Sequence, residues 1–180
     1  MDIYKLKWTR LQVEIFRFLC IIAGKSATGR EIAKKLKKSP TAVSKSLKDL
    51  EKEEIISVNR DKENAFSIEL DLDNEAVISL KRVENLKMLY ESGLAHFLRD
   101  KFPGCTAILF GSYSRGEDIH SSDIDIAIVG TKDKEINLKE YEKMLGKNII
   151  VNFYVSFREI NKHLRNNMLN GIILSGSVSI

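Results

Sequence analysis

Cysteine, proline and tryptophan are scarce in this chain of 180 residues, which has two, two and one of them respectively. The two cysteines, Cys20 and Cys105, each lie inside an apolar run and have no partner at a metal-ligand spacing. This pattern excludes a disulfide framework and argues against a zinc site. We expect both cysteines to be buried thiols in a reducing compartment.

Long hydrophobic runs are also lacking. The N-terminal stretch MDIYKLKWTR has no apolar signal core, and no run in the chain approaches the roughly 20 apolar residues that a bilayer-spanning helix needs. We therefore expect a cytoplasmic protein with no membrane partner. The hydrophobic content of 43% is ordinary for a globular core and argues against disorder.

The charge balance is nearly even over the whole chain but uneven within it. Lys and Arg outnumber Asp and Glu by 29 to 25, yet the segment from Lys25 to Lys48 has eight basic residues and a single acid, Glu31. Such a segment can face nucleic acid, although a basic run often does no more than solvate a helix surface.

The first part of the chain predicts three helices and a hairpin. LQVEIFRFLCII has a helical period of apolar residues. Thr28 and Glu31 have the spacing of a capping box that begins a second helix. Ser39 and Pro40 suit the N-cap and the first position of a third helix, which we expect to end near Glu53. IISVNRDKENAFSIEL predicts two alternating strands around the turn RDKEN.

The third predicted helix has an apolar face and a polar one. At 100° per residue Val43, Leu47 and Leu50 share one side, opposite a polar and basic side. Three helices followed by a hairpin resemble the winged helix-turn-helix of MarR- or ArsR-like regulators over roughly residues 8 to 70. The resemblance implies DNA contacts, for which the candidates are Thr41, Ser44, Lys45, Lys48, Arg60 and Lys62. Because winged helices usually read two half-sites, it also implies a homodimer.

The second part of the chain has a different pattern. NEAVISLKRVENLKMLYESGLAHFLRDKF is one long amphipathic stretch in which we expect a kink near Gly93. Its buried side is expected to comprise Val83, Leu86, Leu89 or Tyr90, Leu94 and Phe97. Further along, TAILF, DIDIAIV and NIIVNFYVS predict strands, and NLKEYEKML and REINKHLRNNML predict helices.

These elements predict an α+β fold with two domains. Residues 1–74 are expected to form the winged helix. Residues 75–180 are expected to form a linker helix and a small domain built on a mixed sheet.

Two aspartates stand one residue apart at the start of a predicted strand. Residues two apart on a strand point to the same side, so Asp123 and Asp125 present their carboxylates together. Two converging carboxylates suit Mg²⁺, which completes its shell with water and substrate phosphate. Gly111 and Ser112 precede them in a turn whose amides and hydroxyl can hold a phosphate, and Arg115 can add a charged donor.

Gly-Ser, ten residues and then Asp-x-Asp resemble the signature of the minimal nucleotidyltransferases of the polymerase-β-like superfamily. Here the signature stands as Gly111, Ser112, Asp123 and Asp125. The resemblance, which covers about residues 83 to 180, implies transfer of a nucleoside monophosphate from a nucleoside triphosphate, with ATP expected. It also implies that Asp123 and Asp125 bind Mg²⁺ or Mn²⁺. Nothing in the sequence identifies the acceptor.

The sequence departs from that family at Asn152. The family has a third carboxylate on a later strand, which ligates metal and helps to activate the attacking hydroxyl, and in NIIVNFYVS the expected position is occupied by Asn152. An amide oxygen can coordinate a cation but cannot accept a proton as a general base. Catalysis would then rely on solvent, on another acid such as Glu117 or Asp118, or on an activated acceptor. Otherwise the chain is a transcription regulator whose degenerate domain only senses nucleotide.

Overall fold

A computed structural model describes residues 7–60 and 66–178, with the side chain of Arg60 outside the description. The chain divides into two compact units between Val77 and Ile78. The division falls inside a helix, so the two units are connected by continuous helical backbone.

The first unit begins with three helices: α1 (Arg10–Ile21), α2 (Gly29–Leu36) and α3 (Pro40–Lys52). Thr28 caps α2 in the predicted capping box with Glu31. The Ser39 hydroxyl accepts a hydrogen bond of 3.3 Å from the amide of Ala42 at the start of α3. The three helices and their starting points are therefore as the sequence predicted.

A hairpin completes the first unit. Its strands β1 (Ile56–Arg60) and β2 (Phe66–Leu70) pair antiparallel, with Val58 opposite Ile68. Ile68 also exchanges two backbone hydrogen bonds of 2.9 Å with Ala27, which ties the hairpin to the segment before α2. Three helices and a hairpin in this order confirm the predicted α+β architecture of the N-terminal half.

The long helical stretch is two helices, α4 (Glu75–Glu91) and α5 (Leu94–Lys101), which are separated at Ser92 and Gly93. The predicted buried side of α4 is wrong at Val83, which is 65% exposed, whereas of the alternatives Leu89 and Tyr90 it is Leu89 that is buried. Three polar side chains share the buried side of α4: Lys81, Glu84 and Asn85. Helical periodicity counts apolar residues, so it identified the helix but not these polar members of its buried face.

The second unit is built on a four-stranded mixed sheet of order β5-β4-β3-β6. The strands are β3 (Thr106–Phe110), β4 (Ile124–Val129), β5 (Ile149–Tyr154) and β6 (Ile172–Ser175). Strand β3 is antiparallel to both neighbours, and β4 is parallel to β5. The connecting elements are α6 (Gly111–Arg115), α7 (Lys139–Leu145), a 3₁₀ turn (Phe157–Glu159) and α8 (Lys162–Leu169).

Strand β6 was not predicted from the sequence. It begins three residues after the end of α8, and its three apolar residues, Ile172, Ile173 and Leu174, are too few for a period that distinguishes a strand from the end of a helix. The expected final helix is also shorter than predicted, because its first residues form the separate 3₁₀ turn.

The two central strands, β3 and β4, are nearly continuous apolar runs, as expected for strands covered on both faces. All five residues of β3 are buried. One face packs against the C-terminal segment in a cluster that comprises Ile108, Phe110, Ala127, Val129, Phe157, Ile160 and Met168.

Both cysteines are free: Cys20 is buried as expected, while Cys105 is only half-buried. Over the described ranges, no helix is both long enough and apolar enough to cross a bilayer.

Candidate functional site

Gly111 follows directly after β3 and is the first residue of α6. Its φ is +74°, in the left-handed region that side chains rarely adopt. A Cβ added there would lie 3.3 Å from Cγ of Asp125 and would overlap its Oδ2. Glycine is thus required both by the backbone and by the carboxylate, which puts the Gly-Ser turn against the Asp pair.

Ser112 is half-buried in the same turn. No side chain caps the first amides of α6, since the preceding residue is Phe110. The opening turn of a helix has amides without intrahelical partners. Those amides and the Ser112 hydroxyl are therefore suited to bind an anion that approaches the turn.

Asp123 immediately precedes β4, and Asp125 is its second residue. Both side chains are half-buried. Burial raises the pKa of the Asp125 carboxyl above its usual value, and the negative charge of Asp123 raises this pKa further. A cation bound beside Asp125 would offset this unfavourable effect on its ionised form.

The residues present fit a hard divalent cation with an incomplete protein shell. In the described ranges, no group of three or more His, Cys, Asp or Glu side chains is placed to hold a metal ion. Mg²⁺ is commonly bound by one or two carboxylates, with water and substrate phosphates as its other ligands. Asp123 and Asp125 match that donor set, and the Gly-Ser turn provides the neighbouring place for phosphates.

Asn152 lies on the same face of the sheet as Asp125 but not directly beside it. In the parallel pairing of β4 and β5, Asp125 is opposite Ile150, and Asn152 is opposite Ala127. Asn152 is therefore displaced by two residues, about 6.6 Å, along the strand from the level of Asp125. The register thus places the Asn152 amide on the same face as the Asp125 carboxylate, and it places the aliphatic side chain of Ile150 next to Asp125.

Arg115 and the two alternative acids are all engaged within the protein. Arg115 is exposed at the end of α6, where its Nε lies 2.7 Å from Glu117 Oε2. It also reaches Asn167 Oδ1 at 3.5 Å. Asp118 is fully buried and forms ion pairs with Lys81 and Lys147. Asp118 is thus enclosed by cations and is not placed to accept a proton at the surface.

The buried group around Asp118 was missed by the sequence analysis. Lys81 and Lys147 carry the positive charges, and Asn85 Nδ2 donates to Asp118 Oδ1 at 2.6 Å and to the carbonyl of Tyr113 at 3.0 Å. Removal of such charges from water is expensive unless they are paired. No local pattern indicates the group, because Asp118 lies more than 25 residues along the chain from each of the two lysines and from Asn85.

A polar cleft of about 260 Å³ adjoins Asp123. Its walls come from the loop before β4 and from the end of α7: His120, Ser121, Ser122, Asp123, Glu142, Gly146, Lys147 and Asn148. Pockets for drug-sized ligands are typically about 300 to 1,000 Å³. The cleft is therefore too small to enclose a whole nucleoside triphosphate.

In the first unit, the structure brings four of the predicted DNA-contacting residues together. Thr41, Ser44, Lys45 and Lys48 are all exposed and line one shallow concavity on α3. Arg60 is the last residue of β1, and nothing is described of its side chain, while Lys62 lies outside the described residues.

A groove of about 720 Å³ lies beside this face, between α3 and the hairpin. Ser44 and Lys48 line one of its sides, and Val58 and Phe66 line another. Phe66 is 56% exposed and was not singled out from the sequence, where it lies two residues after the polar turn.

The two halves of the chain are similar to different known proteins. The nucleotidyltransferase domain family model matches residues 91–178, which include the Gly-Ser turn, the Asp pair and Asn152. The model for bacterial regulatory proteins of the arsR family matches residues 11–58.

Two individual proteins are similar to parts of this chain. A protein of Methanocaldococcus jannaschii that carries the provisional name protein adenylyltransferase is 37% identical over 73 residues, which are 39% of this chain and 73% of that protein. A solved variant of Lactococcus lactis ZitR is 27% identical, with a TM-score of 0.40, and the match covers 57% of this chain and 67% of that one.

Proposed function

Because this chain belongs to the nucleotidyltransferase domain family, we propose that it moves a nucleoside monophosphate from a nucleoside triphosphate to an acceptor. We propose further that the reaction depends on Mg²⁺ or Mn²⁺ and that ATP is the triphosphate. The observation that carries the proposal is the contact of Gly111 with the Asp125 carboxylate, whose pKa is raised by burial and by Asp123. That contact joins an anion-binding turn to a cation-binding pair.

Each residue of the site has a role in the proposed reaction. Asp123 and Asp125 would hold the cation, which supplies charge neutralisation for the triphosphate and the leaving pyrophosphate. The amides of the Gly-Ser turn and the Ser112 hydroxyl would bind phosphate oxygens. Arg115 would donate to a phosphate through its other guanidinium N–H groups while its Nε stays bonded to Glu117. The acceptor hydroxyl attacks the α-phosphorus, the bond to the β-phosphate oxygen breaks, and pyrophosphate leaves.

The fate of the acceptor's proton is the least constrained part of the reaction. Asn152 has no basic oxygen, Asp118 is enclosed by lysines, and Glu117 is paired with Arg115. We therefore propose that the proton passes to solvent. A slow reaction is expected, because a positioned general base usually contributes about 10² to 10⁴ in rate.

The amide at Asn152, where the third carboxylate is expected, favours a second candidate function. A chain that combines a nucleotide-binding domain of this kind with an arsR-type helix-turn-helix would be a regulator that senses nucleotide without transferring it. We propose that the first unit binds duplex DNA in either case, through Thr41, Ser44, Lys45 and Lys48, and that it does so as a homodimer.

Label transfer separates the two candidate functions. The full chain is incubated with Mg²⁺ and each α-³²P-labelled triphosphate, together with cell lysate proteins, RNA or aminoglycosides as acceptors. The enzyme is expected to incorporate label, most from ATP, and Asp123→Asn with Asp125→Asn should abolish incorporation. If no acceptor gains label, while the protein still binds ATP and ATP changes its affinity for DNA, the sensor is supported instead.

A further inference from the structure

The two carboxylates of the site are held in place by different means. Asp125 lies within β4, where its backbone register to Phe110 and Ile150 is set by ladders on both sides. Asp123 precedes the strand. Its position therefore depends on the loop that runs from Gly116 to Asp123, and on whatever holds that loop.

Lys147 holds the loop from within. Its side chain is 2% exposed, and its Nζ lies 3.0 Å from Asp118 Oδ2. The same ammonium donates to the carbonyl of Ile119 at 2.5 Å and reaches the carbonyl of Ser122 at 3.5 Å. Three oxygens of one loop thus converge on a single buried cation, and the last of them belongs to the residue before Asp123.

The far side of the loop is anchored to α4. The other oxygen of Asp118 accepts from Lys81 and from Asn85. Asn85 also binds α6. Its Nδ2 donates to the backbone carbonyl of Tyr113, and its backbone carbonyl accepts from the Tyr113 hydroxyl at 3.2 Å. The Gly-Ser turn and the loop before Asp123 therefore share one buried polar anchor.

Asn148 contacts Asp123 directly. Its Nδ2 donates to Asp123 Oδ1 at 3.3 Å, and its carbonyl accepts from the amide of Ile124 at 2.9 Å. The segment that carries Asn148 is itself fixed, because Glu142 Oε1 accepts from the amide of Ile149 at 3.1 Å. Lys147 and Asn148 are adjacent, so one short segment holds both the loop and the carboxylate.

We propose that Lys147 and Asn148 are positioning residues that hold Asp123 beside Asp125 before a cation binds. The two carboxylates stand one residue apart in the chain, and like charges that close repel each other. A loop with freedom to move would respond by carrying Asp123 away. Groups that orient metal ligands in this way typically contribute about 10- to 100-fold to metal affinity. The inference rests on the proposed function in so far as it takes the Asp pair to be the cation site.

The test is the affinity of the full chain for Mn²⁺ alone, measured from the electron paramagnetic resonance signal of free Mn²⁺ without nucleotide. Asn148→Ala is expected to weaken Mn²⁺ binding by about 10- to 100-fold. The melting temperature of the metal-free protein should be unchanged, since Asn148 is exposed. Asn166→Ala, at an exposed position on α8, is the matched control and should bind Mn²⁺ as the wild type does.

Lys147 provides a second variant with its own control. Lys147→Met keeps the length of the buried chain but removes the cation, so Mn²⁺ binding should fall as far as in Asn148→Ala or further. Lys143→Met changes an exposed lysine of α7 and should leave Mn²⁺ binding unchanged. If Lys147→Met does not fold, Asn148→Ala decides the question alone.

The possible outcomes separate this inference from the proposed function. Equal Mn²⁺ affinity of the wild type and Asn148→Ala would overturn the positioning role. The positioning role would also be overturned if Asn166→Ala weakened Mn²⁺ binding to the same extent as Asn148→Ala. A wild type that binds Mn²⁺ but shows no thermal shift with ATP and Mg²⁺ would overturn the proposed transferase and leave the positioning role standing.

Discussion

Gly111 is fixed by two independent demands. Its φ of +74° lies in the left-handed region, and the space where a Cβ would stand is occupied by the Asp125 carboxylate. The first demand costs a non-glycine residue about 1 to 2 kcal/mol. The second would push Asp125 away from Asp123. These two contributions can be separated because the chain has glycines that meet only the first demand.

Gly111→Ala is expected to abolish the rise in melting temperature that ATP and Mg²⁺ produce. The added methyl displaces the Asp125 carboxylate and blocks the approach of phosphate to the turn. Gly104→Ala is the matched control, because Gly104 has a φ of +79° and nothing within 4 Å of an added Cβ. The control should lose only the stability that the backbone conformation costs, as measured by thermal denaturation, and it should retain the ligand response. A ligand response retained by Gly111→Ala would contradict the proposed site.

Asp125 makes stability depend on pH in the absence of metal. Its pKa is raised in the folded protein, so the folded state holds this proton more tightly than the unfolded chain does. The resulting stability is complete below the unfolded pKa of about 3.9, and it is lost as pH rises through the folded pKa. Above the folded pKa the metal-free protein therefore bears the full unfavourable effect of an ionised Asp125.

Asp125→Asn should consequently raise the melting temperature of the metal-free protein near neutral pH, while it removes the response to Mg²⁺ and ATP. The gain should shrink as the pH is lowered toward about 4, because the wild-type carboxyl takes up its proton on the way to the unfolded pKa. Asp133→Asn, at an exposed position, should show neither effect. Melting temperatures measured across this pH range check the prediction, and a variant less stable than the wild type at neutral pH would refute it.

Among single residues, those of the signature could be recognised in the sequence, but the buried residues that hold them in place could not. Gly111, Ser112, Asp123 and Asp125 were predictable because their spacing along the chain reflects a strand, a turn and a strand. Lys147 was not, since its partners lie in a loop at least 25 residues earlier, and an isolated lysine in sequence looks like a solvated one. Buried ion pairs are specified by the tertiary fold, which no local pattern describes.

Among the secondary-structure elements, those with a clear period or cap were predictable. The capping box of α2 and the alternation in β4 identified both elements close to their observed bounds. Helix α4 was predicted as a helix, but its buried face was assigned wrongly at Val83. The buried Lys81 and Asn85 require Asp118 as a partner, so the face of α4 is set by a loop of the sheet domain rather than by its own hydrophobicity.

Strand β5 carries the prediction that bears most on activity. If the third carboxylate has been lost at Asn152, Asn152→Asp should restore a ligand and a base, and the rate of label transfer should rise by about 10² to 10⁴. Ile150→Asp is the matched variant, because Ile150 is the residue paired with Asp125. A carboxylate at that position would only add a third charge to a repelling pair, so little gain is expected.

The measurement is single-turnover transfer from α-³²P-labelled ATP at saturating Mg²⁺. Activation by Ile150→Asp without activation by Asn152→Asp would show that the position of the third carboxylate is misassigned. No change in either variant, in a wild type that transfers label, would indicate that the proton goes to solvent without help from β5.

For the whole molecule, we expect the two units to bind different ligands. The order of elements in each half was readable from the sequence, because each half has its own periodic pattern and the patterns change near the start of α4. The structure divides the chain within that helix. A chain that joins a nucleotidyltransferase domain to a helix-turn-helix is expected to bind nucleic acid with one unit and nucleotide with the other, and each activity can be removed separately.

Replacement of Lys45 and Lys48 by Glu is expected to abolish binding of duplex DNA and to leave the thermal shift with ATP and Mg²⁺ unchanged. Both lysines are exposed on α3 and line one concavity with Thr41 and Ser44, so neither is needed for the core. Each phosphate contact contributes about −0.9 to the slope of log affinity against log salt concentration. The single variants Lys45→Glu and Lys48→Glu should therefore each lower the magnitude of that slope by about one.

Fluorescence anisotropy with labelled palindromic DNA at several salt concentrations provides the measurement, since a winged helix usually reads two half-sites as a dimer. Lys34→Glu with Lys35→Glu is the control, because it makes the same change of charge on an exposed face of α2. If both double variants weaken binding equally and with equal slopes, the attraction is a general effect of net charge. If only the α3 variant loses binding, α3 is the helix that faces the phosphates, and the basic residues of α2 only solvate their own surface.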